Sequence, residues 1–178
     1  SLMDRRNDRA VPCGGGDCGG GGVMLVFSGE VFADFFQFYI ADVGKKLADL
    51  PMWNEEEVQR RLAISNGLVA FRTLQNHNVP VSISIHSEKP DNELGAAHIA
   101  ECSMESSGKL MIAGCTDFAA DAAQFSVRPG RLRVSYECVE PEAATENDVA
   151  ENCHYFIKLW PSEDLTVAVT RETPRGGW

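Results

Sequence analysis

Long apolar runs are missing from this chain of 178 residues. No window holds the ~18 consecutive apolar residues of a membrane-spanning helix. The densest aromatic stretch, VFADFFQFYIAD at residues 31–42, is interrupted by Asp34 and Gln37. The N-terminus has no apolar h-region, so no secretory signal peptide is expected. Positive charge is scarce: 16 Lys and Arg stand against 26 Asp and Glu, a net charge of −10. Arg5, Arg6 and Arg9 balance Asp4, Asp8 and Asp17, so the excess acid lies beyond residue 22. Binding phosphates takes Lys and Arg, which disfavours nucleic acid as a direct partner. The same charge suits a basic protein partner.

Metal and nucleotide motifs are also absent. Cys13 and Cys18 flank a glycine run (CGGGDC), but zinc needs about four ligands, and no second Cys or His pair has matching spacing. The run ends in Val23-Met24, where a phosphate-binding loop requires Gly-Lys-Ser/Thr. The D-x-D-x-D-G spacing of a calcium loop is missing. No metal and no cofactor are expected. Six cysteines do not imply a disulfide framework, because Cys102, Cys115, Cys138 and Cys153 sit in or beside apolar strand-like segments, where a thiol behaves as a small hydrophobe. Reduced thiols point to a cytoplasmic protein.

No catalytic constellation stands out either. His77 lies in a polar turn, and His86 on the polar side of an alternating segment. Cys153 and His154 are adjacent, so on a strand they point to opposite faces. Cys102 and His98 share a face but are about 13 Å apart. A nucleophile, a base and an orienting group must lie in mutual reach, and a hydrolase would have to use His98 or His154 with a carboxylate. The chain is read as non-enzymatic.

What is present is β-sheet patterning. In Val79–Ser87, Val81, Ile83 and Ile85 alternate with Ser82, Ser84 and His86; in Arg131–Cys138, Leu132, Val134, Tyr136 and Cys138 alternate with Arg131, Arg133, Ser135 and Glu137. Both read as strands with one buried and one wet face. Weaker runs are Val23–Ser28, Ala97–Glu105, Lys109–Gly114, Gln124–Val127, Cys153–Trp160 and Leu165–Thr170. Residues 31–42 read as one core strand with rings on both faces. Asn54 and Glu57 form a capping box, with Trp53 and Val58 placed as a staple and Glu56–Arg60 and Glu57–Arg61 as i,i+4 pairs. Asn66-Gly67 is a strong hairpin signal that sets Ile64 opposite Val69 and Leu62 opposite Phe71. A short helix over 54–60, followed by a hairpin, is predicted. The fold class is therefore all-β: a two-sheet antiparallel β-sandwich of about 9–10 strands with one short helix. Residues 1–22 read as a disordered glycine-rich arm whose Ser1-Leu2 resembles a cloning remnant. Residues 23–172 read as a single domain and 173–178 as a flexible tail. An uncovered edge strand would allow a homo-oligomer.

The functional candidates are acidic. Residues 137–151 (ECVEPEAATENDVAE) hold Glu137, Glu140, Glu142, Glu146, Asp148 and Glu151 with no basic residue. They read as a solvated loop, and as a candidate docking surface for a basic protein whose encounter is salt-sensitive. The rival reading is a small-ligand pocket between the sheets, lined by Phe36, Phe38, Trp53 and Trp160.

Six phrases in order, FADFFQFYIAD, MWNEEEVQRRLAISNGLVAFRT, VPVSISI, GKLMIAG, PGRLRVSYE and HYFIKLWP, resemble the bacterial competence protein J family across residues 30–161. Many relatives carry Asp-His-Tyr before the terminal Leu-Trp-Pro; here it is Cys153-His154-Tyr155. The resemblance implies a protein that restrains a DNA-entry nuclease, in keeping with an acidic chain facing a basic enzyme.

Overall fold

The computed structural model describes residues 22–45, 53–116, 121–140 and 152–171. Eleven strands and one α-helix lie within them: β1 (Val23–Phe32), β2 (Gln37–Asp42), α1 (Glu55–Arg60), β3 (Leu62–Ser65), β4 (Leu68–Arg72), β5 (Asn78–His86), β6 (Ala96–Ser106), β7 (Lys109–Gly114), β8 (Ala123–Ser126), β9 (Gly130–Val139), β10 (His154–Pro161) and β11 (Ala168–Arg171). They form a six-stranded sheet, β1-β5-β10-β9-β6-β11, and a five-stranded sheet, β3-β4-β2-β7-β8. Each weaker run of the sequence becomes a strand. The smaller sheet is antiparallel throughout. The larger is mixed, because β10 pairs with β5 in parallel while pairing antiparallel with β9. Apart from Gly22, the expected N-terminal arm lies outside the described residues, as does the expected tail.

Residues 31–42 are not one strand. The chain leaves the larger sheet at Phe32 and enters the smaller at Gln37, through a 3-10 turn over Asp34–Phe36. Phe35 and Phe36 both take left-handed conformations, φ 56° and 58°, which cost roughly 1–2 kcal/mol per non-glycine residue. A continuous strand would put Asp34 on the same face as Phe36, Phe38 and Ile40. The turn lets the Asp34 carboxylate accept from Phe35 N at 3.0 Å, and leaves Phe32, Phe35 and Phe36 exposed.

The helix and hairpin follow local chemistry. Asn54 caps α1 by accepting from Glu57 N at 2.8 Å, and Glu56 meets Arg60 at 4.0 Å. Arg61, with φ 62°, ends the helix and donates its N–H to Val58 O. Gly67 takes φ 73° in the hairpin turn, and the register sets Leu62 against Phe71 and Ile64 against Val69 as the Asn-Gly signal requires.

The core fills the space between the sheets. Phe38 and Phe71 of the smaller sheet meet Tyr136 and Tyr155 of the larger, with Phe71–Tyr136 centroids 4.8 Å apart and the two tyrosines stacked at 5.7 Å. Each such buried ring contributes roughly 1.5–3 kcal/mol. The hydroxyls are satisfied at the β4–β5 connection: Tyr136 donates to Arg72 O at 2.7 Å, while Tyr155 accepts from Leu74 N at 2.9 Å and donates to Gln75 Oε1.

The outer face of β9 was expected to be wet, yet Arg133, Ser135 and Glu137 are buried. The topology explains this. The β5–β6 connection must pass β10 and β9, and the β10–β11 connection must pass β9 and β6. Lys158 donates to Asp91 O at 2.7 Å and pairs with Glu137 at 2.9 Å and Glu93 at 3.3 Å. Glu137 in turn accepts from Glu93 N at 2.8 Å. Arg133 donates to Asp164 O at 3.3 Å and to Thr166 O, and pairs with Glu101 at 3.4 Å. Each crossing connection is therefore tied down by one buried cation.

Candidate functional surface

The six acidic candidates do not form one surface group. Glu137 is fully buried on β9, with its carboxylate held by Lys158 and Glu93 N. It belongs to the framework, and its place in the docking surface is withdrawn. Glu140 follows β9 and is half-buried. Glu142, Glu146, Asp148 and Glu151 lie outside the described residues.

His98 of β6 lies opposite Cys138 of β9, and its Nε2 donates to Arg60 O, at the C-terminal end of α1, at 2.9 Å. That bond brings the C-terminal end of α1 against the Cys138 end of β9, with the Arg61 charge beside that thiol.

His98 is buried, and its ring is held neutral: burial, aided by the Arg61 charge, lowers its pKa to about 4. Burial also lowers His86 and His154. His154 Nε2 is 3.1 Å from Ser82 Oγ, and His86 Nε2 is 2.7 Å from Ser84 Oγ, so a hydroxyl and a base lie within reach of each other twice on the outer face of the larger sheet. Neither ring donates from its far nitrogen to a carboxylate among the described residues, and the His154 ring stacks on Phe156 at 4.3 Å. Cys153 points into the core while His154 points out, as the strand alternation required. Cys102 and Cys138 are free thiols. Burial pushes Cys102 up to about 12 and raises Cys138 as well, which keeps both protonated and poorly nucleophilic.

The four residues of the rival ligand pocket do not converge. Phe38 is packed among core rings. Phe36 is exposed. Trp53 lies against the outer face of the smaller sheet, donating Nε1–H to Gln37 Oε1 at 3.0 Å. Trp160 lies opposite Arg133, on the outer face of the larger sheet. Clefts of about 340, 170 and 280 Å³ sit on the rim of the sandwich, and none is lined by any of these four side chains.

Comparison with known proteins gives a consistent result. The fold is similar to the crystal structure of ComJ, inhibitor of the DNA degrading activity of NucA, from Bacillus subtilis: TM-score 0.65, 11% identity, covering 79% of this chain and 98% of that one. It is also similar to the structure described as crocagin biosynthetic gene J, with TM-score 0.54 and 16% identity over 79% of this chain and 99% of the other. At such identities the likeness shows the fold. No curated protein matches the chain. The family model for competence protein J (ComJ) matches residues 30–159, from the end of β1 to the end of β10, and the chain therefore belongs to the competence protein J family.

Proposed function

We propose that this protein binds and restrains a basic nuclease, using the acidic residues that follow β9. The observation that carries the reading is the family match across most of the domain. It is supported by the described relative that inhibits the DNA degrading activity of NucA, and by a net charge of −10. The docking surface comprises Glu140, Glu142, Glu146, Asp148 and Glu151. Carboxylates opposed to a nuclease's cationic substrate channel would steer encounter and compete with DNA for the same charges. The protein acts in the cytoplasm, where its thiols stay reduced.

The test is capture from native lysate at low and high salt, followed by a DNA-degradation assay on the captured fraction. The expected result is a basic protein retained at low salt and released at high salt, whose nuclease activity returns on release. Changing Glu140, Glu142, Glu146 and Asp148 to Gln should weaken capture and flatten its salt dependence. Capture with no DNA-degrading activity, or unchanged after the substitutions, overturns the reading.

A further inference from the structure

The four edge strands of the sandwich are unequal. β3, β8 and β11 are each four residues long, and shortness is one of the usual defences of a sheet edge. β1 is ten residues long and pairs only with β5, so its outer edge is open among the described residues. Its defences are few besides the shift between Leu25 and Phe27. It has no lysine and no proline, and its only charge is Glu30. Val23, Met24, Leu25 and Phe32 are 67%, 48%, 63% and 41% exposed.

The register of β1 on β5 makes this strand self-complementary. Val23, Leu25, Ser28, Glu30 and Phe32 stand opposite His86, Ser84, Ser82, Pro80 and Asn78, on the outer face. Met24, Phe27, Gly29 and Val31 stand opposite Ile85, Ile83, Val81 and Val79, on the core face. The shift between Leu25 and Phe27 absorbs one extra residue. With Val26 set aside in that shift, a two-fold axis perpendicular to the sheet at Ser28 matches each of the other nine residues to one on its own face. Phe32 meets Val23 of the second copy, Val31 meets Met24, Glu30 meets Leu25, and Phe27 stands opposite Gly29. The two Glu30 carboxylates stand four positions apart, roughly 13 Å, beyond the screening length of about 8 Å at physiological salt.

We infer that β1 is a homodimer edge: two copies pair β1 to β1 antiparallel about Ser28, joining two six-stranded sheets into one of twelve. The occupant is a second copy because the strand matches itself over its whole length in face, apolar contact and charge, as an isologous interface requires. The inference rests on β1 alone and is independent of the nuclease reading.

The test is sedimentation equilibrium of the full chain and three variants, with circular dichroism to confirm folding. The wild-type chain should be dimeric at tens of micromolar. Leu25→Glu places a carboxylate opposite Glu30 of the second copy, twice per dimer, and should raise the dissociation constant by at least about tenfold, since like charges directly opposite are destabilising. Leu25→Lys should stay dimeric, which separates charge from lost apolar area. Leu25→Glu combined with Glu30→Lys should restore the dimer. A monomeric wild-type chain at about 100 µM, where mass action would favour any specific dimer, overturns the inference. So does a Leu25→Glu variant as tightly associated as wild type, or a charge swap that fails to restore association.

Discussion

The His98 imidazole should make folding stability depend on pH in a predictable window. Its Nε2–H is committed to Arg60 O at 2.9 Å, so Nδ1 carries the lone pair, and that atom is buried without a hydrogen-bond partner. Protonation would place a second N–H there with no acceptor, beside the Arg61 guanidinium. The ring therefore resists a proton until about pH 4, against an ordinary value of 6.5. The unfolded chain takes up that proton near pH 6.5, so between 6.5 and 4 the unfolded state binds more protons and stability falls as pH falls. Above about pH 7 the contribution is fully present; at pH 5 about 2 kcal/mol of it is gone. Replacing His98 by Gln keeps an N–H donor for Arg60 O and removes the titration. Urea unfolding of both proteins at pH 7 and pH 5 isolates the effect, because every other titrating group is shared and cancels in the difference. The gap by which wild type exceeds the variant should shrink by about 2 kcal/mol over that interval. Parallel stability profiles, differing by less than about 0.5 kcal/mol in their pH response, would refute the assignment of His98 as a ring held neutral by burial.

Lys158→Met should destabilise the protein by roughly 3–5 kcal/mol in chemical denaturation, since it strands the fully buried Glu137 carboxylate; adding Glu137→Leu should recover much of that loss. Phe35→Gly should raise stability by about 1 kcal/mol, because glycine relieves the left-handed strain at an exposed ring. The midpoint of thermal unfolding would report it as a rise. Tyr155→Phe should cost about 1–3 kcal/mol by leaving Leu74 N and Gln75 Oε1 without their buried partner, with hydrogen exchange accelerated at the Leu74 amide.

Where local chemistry decides, the sequence was sufficient. Asn54 capped α1, the Asn-Gly turn fixed the β3–β4 register, and alternation located the strands. Where topology decides, it was not. Nothing local to Arg133 or Glu137 signals that a distant connection crosses above them, so a buried ion-pair layer reads as a solvated face. The parallel pairing of β5 and β10 is likewise a property of chain path. Residues 31–42 misled because rings on both faces suit a central strand, whereas the chain divides them between two sheets at Asp34. The acidic candidates were legible only in part. Their charge density was visible, but the burial of Glu137 depends on contacts remote in sequence.

The position of β10 has a consequence for biosynthesis. Within the larger sheet, β1–β5 and β9–β6 can form as soon as their segments are made, yet neither block touches the other until residues 154–161 emerge and insert between them. A nascent chain halted before His154 would present two raw inner borders at once, each rich in valine and isoleucine or leucine. Such species are prone to stick to one another. β10 is therefore the strand whose timely synthesis protects the larger-sheet strands made before it.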